Sequence, residues 1–431
     1  MSLKPEGYKL RLMDDILERK LGAFGAVEVA GTKFCGKTWS SLAHGESIIH
    51  IDEDSIRQVV EVDAALALDG KSPHIIDEWQ DVPKIWDAVR RKVDEKGNKK
   101  GLFILTGSST VKRDEISHSG AGRIARVHLR PMSLFEYGHS DGTVSLRGLF
   151  EGDFTPQQTN TGIRQLADLM YLGGWPASLG VDPLLASELP AQYLDAMFNT
   201  SAIKKGLDPF MARRTAVSLA RNMGKTLSYK TLYTDISEGD IPKRADDSVF
   251  RKQMEPYINF FKEQYFIEDQ TGWDAPIKSR SRVRTKPRRT FVDPSLPASL
   301  LGMTPERLLT EFQVLGNLFE ELCLRDLRVY TSAMQLTPDP RIHYYSDADG
   351  LEVDVIIELP DGRWAAFEIK LSEEKVPQAE KSLLRLRDKV AANPAAHNRE
   401  PAFMAVLVGK ATFARQTPQG VYVIPLTSLG V

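Results

Sequence analysis

Two rhythms of apolar and polar positions divide the chain. Over the first 138 residues, short apolar runs recur at Ala26–Val29, Ser47–Ile51, His74–Ile76, Leu102–Leu105 and Ile124–Leu129, with the length and composition of buried strands. Between them Lys37–Ala43, Ile56–Leu68 and Lys84–Glu95 carry apolar residues at helical spacing. Alternation of this kind predicts a mainly parallel sheet covered on both faces. Residues 139–165 are richer in Gly, Asp, Thr and Gln and read as a surface excursion. Helical pattern resumes at Ile163–Met170 and Leu184–Phe198, broken by Gly173-Gly174-Trp175-Pro176.

From about residue 208 the rhythm changes. Helical stretches Met211–Met223, Tyr229–Ile236 and Asp247–Gln264 lead into a strand at Tyr265–Glu268, a basic segment and a second strand at Arg289–Val292. Three helices followed by a two-stranded wing predict a winged helix-turn-helix. A long helix, Glu306–Tyr330, then precedes a β-hairpin and further α/β pattern. The expected organisation is α/β multidomain: residues 1–138 a parallel-sheet domain, 139–207 a helical bridge or lid, 208–300 a winged helix, and 301–431 a C-terminal α/β domain.

Length and composition fit that division. A chain of 431 residues exceeds what one core usually organises. With 42% hydrophobic and 26% charged residues it is neither disordered nor fibrous. The formal net charge is -2, so affinity for nucleic acid would need a local basic patch. Cys35 and Cys323 are the only cysteines, which argues against a disulfide scaffold. No apolar run reaches the ~20 residues of a membrane span, and Met1-Ser2-Leu3-Lys4-Pro5 lacks the apolar core of a signal peptide. The expectation is a cytoplasmic protein with no membrane contact.

Gly31-Thr32-Lys33-Phe34-Cys35-Gly36-Lys37-Thr38 matches the phosphate-loop pattern G-x-x-x-x-G-K-[ST] between a strand and a helix. Such a loop turns successive N–H groups towards a phosphate and adds the partial charge of a helix N-terminus. Gly31 to Thr38, with Trp39 beside them, are therefore the candidate ATP-contacting residues. Lys37 would reach the terminal phosphates and Thr38 would hold Mg²⁺. Forty residues on, the run Pro73–Ile76 ends in Asp77-Glu78. Asp77 is the candidate Mg²⁺ partner and Glu78 the candidate general base for the attacking water; an acidic helix start is the bland alternative. Thr106 and Ser108 follow the next strand and are candidates to orient that water or to cap a turn. Arg123 is a candidate arginine finger or a solvated surface residue.

Residues 278–289 hold seven basic side chains and no acidic one. They can follow a nucleic-acid backbone, with the helix around Ser248–Ile258 directed to the major groove. The acidic start of that helix, Asp246-Asp247, opposes phosphate contact. An interdomain surface or a protein-binding module is the competing reading, so both DNA and a protein partner stay open, as does oligomeric state.

Glu352–Leu359 and Arg363–Leu371 alternate as two strands joined by Pro360-Asp361-Gly362. A turn centred on Asp361 opposes Asp354 to Glu368 and Glu352 to Lys370. It leaves Val353, Val355, Ile357, Ala365, Phe367 and Ile369 on one apolar face. Opposed carboxylates repel unless a cation lies between them. Mg²⁺ or Mn²⁺ would suit, with Lys370 stabilising charge; a solvated strand pair is the alternative.

Asp354 followed by Glu368-Ile369-Lys370 resembles the PD-(D/E)xK nuclease motif, with Val353 where the motif's proline stands. The resemblance implies a restriction-endonuclease-like domain in which Glu320, on the preceding helix, joins Asp354 and Glu368 as a metal ligand. Across most of its length the chain is similar to prokaryotic AAA-type ATPases whose C-terminal part is of unknown function. The shared blocks are Gly31–Thr38, Ile75–Glu78, Leu105–Ser108, Arg130–Glu136, Gly173–Pro176, Phe291–Pro294 and Gly362–Leu371. That resemblance implies ATP binding by a P-loop ASCE/AAA-like core, a winged helix and a nuclease-like C-terminal domain. The leading expectation is an ATP hydrolase acting on or near DNA, with metal-dependent phosphodiester cleavage as a candidate second activity. Otherwise the chain would be a nucleotide-driven switch for a protein partner.

Overall fold

The computed structural model describes residues 3–111, 118–159, 161–237, 247–276 and 278–431. The chain forms two compact units. The first comprises Met1–Met132, Trp175–Ala177 and Phe261–Phe266; the second holds the rest.

The first unit is a five-stranded parallel sheet of β1 (Ala26–Ala30), β2 (Ser47–His50), β3 (His74–Asp77), β4 (Phe103–Gly107) and β5 (Ile124–His128). The spatial order is β2-β3-β4-β1-β5, so β4 separates the phosphate-loop strand from the acidic strand. Each strand is within two residues of its predicted ends. Successive side chains serve opposite faces, as the period of two requires. Val27, Val29, Ile75, Ile104 and Val127 pack with Met13, Leu17 and Leu21 of α1 (Leu12–Ala23). Ala26, Ile76 and Leu105 pack with Val60 of α3 (Asp54–Val62) and with Trp86 and Val89 of α4 (Lys84–Glu95). The helix α1 is absent from the sequence reading, although Met13, Leu17 and Leu21 recur every four residues. α2 (Lys37–His44) starts directly after the phosphate loop.

The second unit contains α5 (Pro209–Arg221), α6 (Tyr229–Ile236) and most of α7 (Asp247–Glu263). Asp246, part of the acidic start noted above, lies outside the described residues. The strands that follow, β6 (Ile267–Gly272) and β7 (Arg288–Phe291), pair antiparallel with each other. The sequence starts the first of them at Tyr265, but Tyr265 has φ 52°, a turn conformation, and extended structure begins two residues later.

β6 also pairs in parallel with β8 (Arg341–Ser346), through Thr271–His343 and Gly272–Tyr344. The expected wing is thus the edge of a nine-stranded sheet. Its remaining strands are β9 (Glu352–Glu358), β10 (Trp364–Ser372), β11 (Phe403–Lys410), β12 (Phe413–Gln416), β13 (Val421–Pro425) and the short edge Gln157–Gln158.

The helix α8 (Phe312–Ala333) starts later than the Glu306 expected; a separate turn, Pro305–Leu308, precedes it. On α8 the buried Arg325 bonds Asp293 at 3.0 Å and Asp326 at 2.8 Å. Asp293 also accepts the Gly174 N–H at 2.9 Å, and Asp326 accepts that of Leu134 at 3.1 Å. Three of the sequence blocks singled out above therefore meet on one helix. The helix α9 (Val376–Ala391) packs on the sheet, with Val376, Ala379, Leu383 and Leu386 facing Trp364, Ala366 and Val406.

Candidate functional sites

In a parallel sheet the loops after the strand C-termini face ligand, and the phosphate loop leaves β1 at that edge. Gly31 is required by space: a Cβ there would stand 2.1 Å from the Leu129 carbonyl oxygen. Gly36, the residue before α2, has φ +98°, which glycine adopts without strain. The buried Lys37 donates from Nζ to the Thr32 carbonyl at 3.0 Å, so its ammonium is folded back over the loop. Phe34 and Trp39 are each about half exposed. The Cys35 thiol is buried, lies 3.4 Å from the Leu129 carbonyl and has its pKa pushed up by burial; it packs the loop.

The acidic pair arrives where the spacing places it. Thr38 donates its hydroxyl to Asp77 Oδ1 at 3.0 Å. Thr106, at the end of β4, donates to the same oxygen and accepts the Glu78 N–H at 3.1 Å. Glu78, with φ 54°, accepts Ser108 Oγ at 2.8 Å and Gln80 Nε2 at 2.5 Å. Both hydroxyls singled out in the sequence are therefore tied to the two acids. Thr38 Oγ1 and Asp77 are hard oxygen donors side by side, a set that suits Mg²⁺ bound with a nucleotide.

Sequence reasoning missed two neighbours of this site. His50 Nδ1 lies 3.2 Å from Asp77 Oδ2. Arg11 is buried and bridges two carbonyls, of Cys35 at 3.0 Å and of Arg130 at 2.8 Å, bracing the loop from behind. Neither belongs to a local motif that would have announced it.

Arg123 lies elsewhere. Its carbonyl accepts the Ala26 N–H, so it stands at the edge where the strands begin, roughly a strand length of about 16 Å from the loop. Its guanidinium pairs with Asp94 at 2.8 Å. It cannot act on a nucleotide held by its own phosphate loop.

In the second unit the predicted hairpin register holds: Val355–Phe367, Ile356–Ala366, Ile357–Ala365 and Glu358–Trp364 are paired. Asp354, Glu368 and Lys370 converge. Asp354 Oδ2 accepts the Ile369 N–H at 2.8 Å and Lys370 Nζ at 3.1 Å, while Lys370 also reaches Glu368 Oε2 at 2.5 Å.

The expected apolar face is corrected at one end. Asp354 and Val355 together oppose the single Tyr344 of β8, a bulge that turns Val353 to the side of Ile356, Trp364 and Ala366. Glu352 is exposed and pairs with Arg288 at 3.1 Å rather than with Lys370. Glu320 on α8 lies 3.8 Å from Arg288.

Burial, reinforced by the Asp354 charge, pushes the Glu368 carboxyl up to about 8 against the pull of Lys370. Burial and Asp354 push Glu320 up to about 7, opposed by Arg288 and Lys370. Burial disfavours the Lys370 ammonium, but Asp354 and Glu368 outweigh it and raise its pKa.

Among the described residues no group of three or more His, Cys, Asp or Glu side chains is arranged to hold a metal ion. Asp354 and Glu368 offer two hard donors, enough for Mg²⁺ or Mn²⁺ retaining most of its water. Lys370 lies between them and would have to withdraw.

The basic segment is partly committed. Arg282 binds Glu358 with both terminal nitrogens, at 2.7 and 3.1 Å, and Arg288 faces Glu352 and Glu320. Ser281–Arg284 forms a helical turn, and Lys278, Arg280 and Lys286 are exposed. No helix among the described residues is long and apolar enough to cross a membrane.

Comparison with known families follows this division. A model for an AAA domain matches residues 24–138, the stretch holding all five strands and the phosphate loop. That segment is an α/β P-loop ATPase fold. Two domains of unknown function match further along: DUF8612 over residues 163–307 and DUF4143 over residues 315–429, the latter containing the Asp354–Glu368–Lys370 cluster. Two uncharacterised proteins, of Mycobacterium tuberculosis and of Mycobacterium bovis, are each 26% identical over 359 residues, which is 82% of this chain and 72% of theirs. A Walker-type ATPase of Pyrococcus abyssi aligns with 69% of this chain and 99% of its own at 13% identity and a TM-score of 0.41.

Proposed function

We propose that this chain is a Mg²⁺-dependent ATPase acting on nucleic acid, with phosphodiester cleavage as a second activity of its C-terminal cluster. What most supports the first part is the meeting of Thr38, Asp77 and Thr106 at one carboxylate oxygen, with Glu78 held beside them by Ser108. Lys37 exchanges the Thr32 carbonyl for the terminal phosphates when ATP binds. Thr38 and Asp77 would hold Mg²⁺, which when bound would neutralise phosphate charge. Glu78 takes a proton from the attacking water, and Ser108 and Gln80 keep its carboxylate aimed.

In the C-terminal cluster Asp354 and Glu368 would hold a divalent ion, which when bound supplies an activated water, with Glu320 near enough to join them only on rearrangement; Lys370 would stabilise charge on the phosphate. Burial, with the Asp354 charge added to it, raises Glu320 and Glu368, an environment often found at functional carboxylates.

The test combines purified protein with labelled plasmid and single-stranded DNA, Mg²⁺ or Mn²⁺, with and without ATP. Lys37→Ala should abolish ATP turnover. Asp354→Ala should abolish cleavage and spare turnover; cleavage that survives in Asp354→Ala sinks the C-terminal assignment.

A second reading, a nucleotide-driven switch for a protein partner, is favoured by the carboxylates that occupy Arg282 and Arg288. Binding of DNA that weakens steeply with salt argues against it, whereas no binding even at low salt argues for it.

A further inference from the structure

The carboxylate of Asp354 is aimed by the bulge on which it sits. Asp354 and Val355 share one partner residue, Tyr344, so the ladder between β8 and β9 is broken there. The carbonyls of His343 and Asp354 flank the break. Both are taken up by one side chain: Gln270 Nε2 donates to His343 O at 2.9 Å and to Asp354 O at 2.8 Å. Gln270 is on β6, outside the matched C-terminal segment, and it is 0% exposed. Its own Oε1 has no partner among the described residues. A buried amide with one oxygen unpaired is unfavourable unless its two donors are needed. Next to it on β7, opposite in the ladder, is Arg288, 4% exposed, which faces Glu352 and Glu320 on the other flank of the cluster.

We infer that Gln270 is a positioning residue for the Asp354–Glu368–Lys370 cluster, acting through the bulge at Asp354. It fixes the main chain of Asp354, and that main chain sets the direction from which Oδ2 meets the Ile369 N–H and the Lys370 ammonium. Strands β6 and β7 are therefore part of the C-terminal site. The geometric claim stands on the hydrogen bonds alone; its consequence for chemistry rests on the nuclease-like reading. Bulges beside functional residues commonly re-aim a side chain in this way.

The experiment uses the full chain with Gln270→Leu, which keeps bulk and removes both donors, and Gln270→Asn, which keeps an amide too short to span both carbonyls. Amide hydrogen exchange is followed at Ile369, whose N–H binds Asp354 Oδ2, and at Phe367 as a ladder control. Mn²⁺ binding is titrated in the absence of nucleotide by the loss of its free-ion paramagnetic signal. Exchange at Ile369 should quicken at least tenfold in Gln270→Leu with Phe367 little changed. The Mn²⁺ midpoint should rise by roughly 10–100-fold, the range typical when an outer support of a metal site is removed. If Gln270→Leu does not fold, Gln270→Asn decides, with a smaller change in the same direction. Unchanged exchange at Ile369 in a folded variant overturns the inference. Absence of Mn²⁺ binding in the unmodified protein overturns the nuclease-like reading instead, and the exchange result still decides the role of Gln270.

Discussion

Thr38 and Asp77 are hydrogen-bonded at 3.0 Å although 39 residues separate them. One is the first-turn hydroxyl of the phosphate-loop helix and the other the last residue of β3. Although β4 lies between β1 and β3, α2 carries Thr38 across to Asp77, and Thr106 of β4 bonds the same carboxylate oxygen. Replacing Asp77 by Ala should leave the fold intact and weaken Mg²⁺-dependent nucleotide affinity at least tenfold. Titrating a fluorescent ATP analogue with and without Mg²⁺ would show it; equal loss in both conditions would contradict a metal-linked role.

Glu78→Gln keeps the bonding geometry to Ser108 and removes the base. Hydrolysis should fall by about 10²–10⁴-fold with nucleotide affinity nearly unchanged, the effect expected of a general base. Parallel turnover and binding assays separate the two.

Gly31→Ala places a methyl 2.1 Å from a main-chain oxygen that cannot rotate away. Overpacking of this kind costs about 1–3 kcal/mol. The loop should shift, so loss of nucleotide binding should accompany a lower melting temperature. Unimpaired binding in Gly31→Ala would mean that the loop and the Leu129 segment part easily.

Arg325→Ala leaves Asp293 and Asp326 buried without their cation. Removing one partner of such a pair typically costs about 3–5 kcal/mol. Denaturant unfolding should register a loss of that order, and Arg325→Lys should recover only part of it because the two carboxylates are met by different guanidinium nitrogens.

The C-terminal cluster makes stability pH-dependent. Glu368, raised to about 8, and Glu320, raised to about 7, hold protons in the folded state that the unfolded chain has released. Their contribution is full below the ordinary glutamate range and is lost as pH rises through those values. His343, lowered to about 4 chiefly by burial, acts oppositely: its contribution grows as pH rises to about 6.5. Above that the carboxyls prevail. In the absence of divalent ions, stability should fall by on the order of 1 kcal/mol between about pH 6.5 and 8. Glu368→Gln should flatten that slope in urea titrations run across the range.

What could be read from the sequence followed from locality. The phosphate loop is eight consecutive residues, and the hairpin register was fixed by a three-residue turn; both hold. The acidic pair needed only the end of a strand. Apart from α1, whose Met13, Leu17 and Leu21 spacing was local and legible, the features missed at the two sites depend on partners far along the chain. Arg11 braces a loop 24 residues away. Gln270 reaches Asp354 across 84 residues. No periodicity encodes either contact. The bulge that moves Val353 to the other face arises from the neighbour β8, not from the hairpin in which the alternation was counted. For Arg123, left open as an arginine finger or a surface residue, sequence position gives the strand but not which end of the sheet faces the loop; it pairs with Asp94 at the far edge.

The pairing of β6 with β8 has a practical consequence for anyone cutting this protein into cassettes. A fragment beginning at residue 301 would keep Asp354, Glu368 and Lys370 yet strip β6 from the flank of β8. The main-chain groups of Thr271 and Gly272 that pair with His343 and Tyr344 would be gone, exposing a raw margin to which other chains can add. Such a fragment invites self-association and an idle cluster, whereas one starting ahead of Ile267 carries its own selvedge.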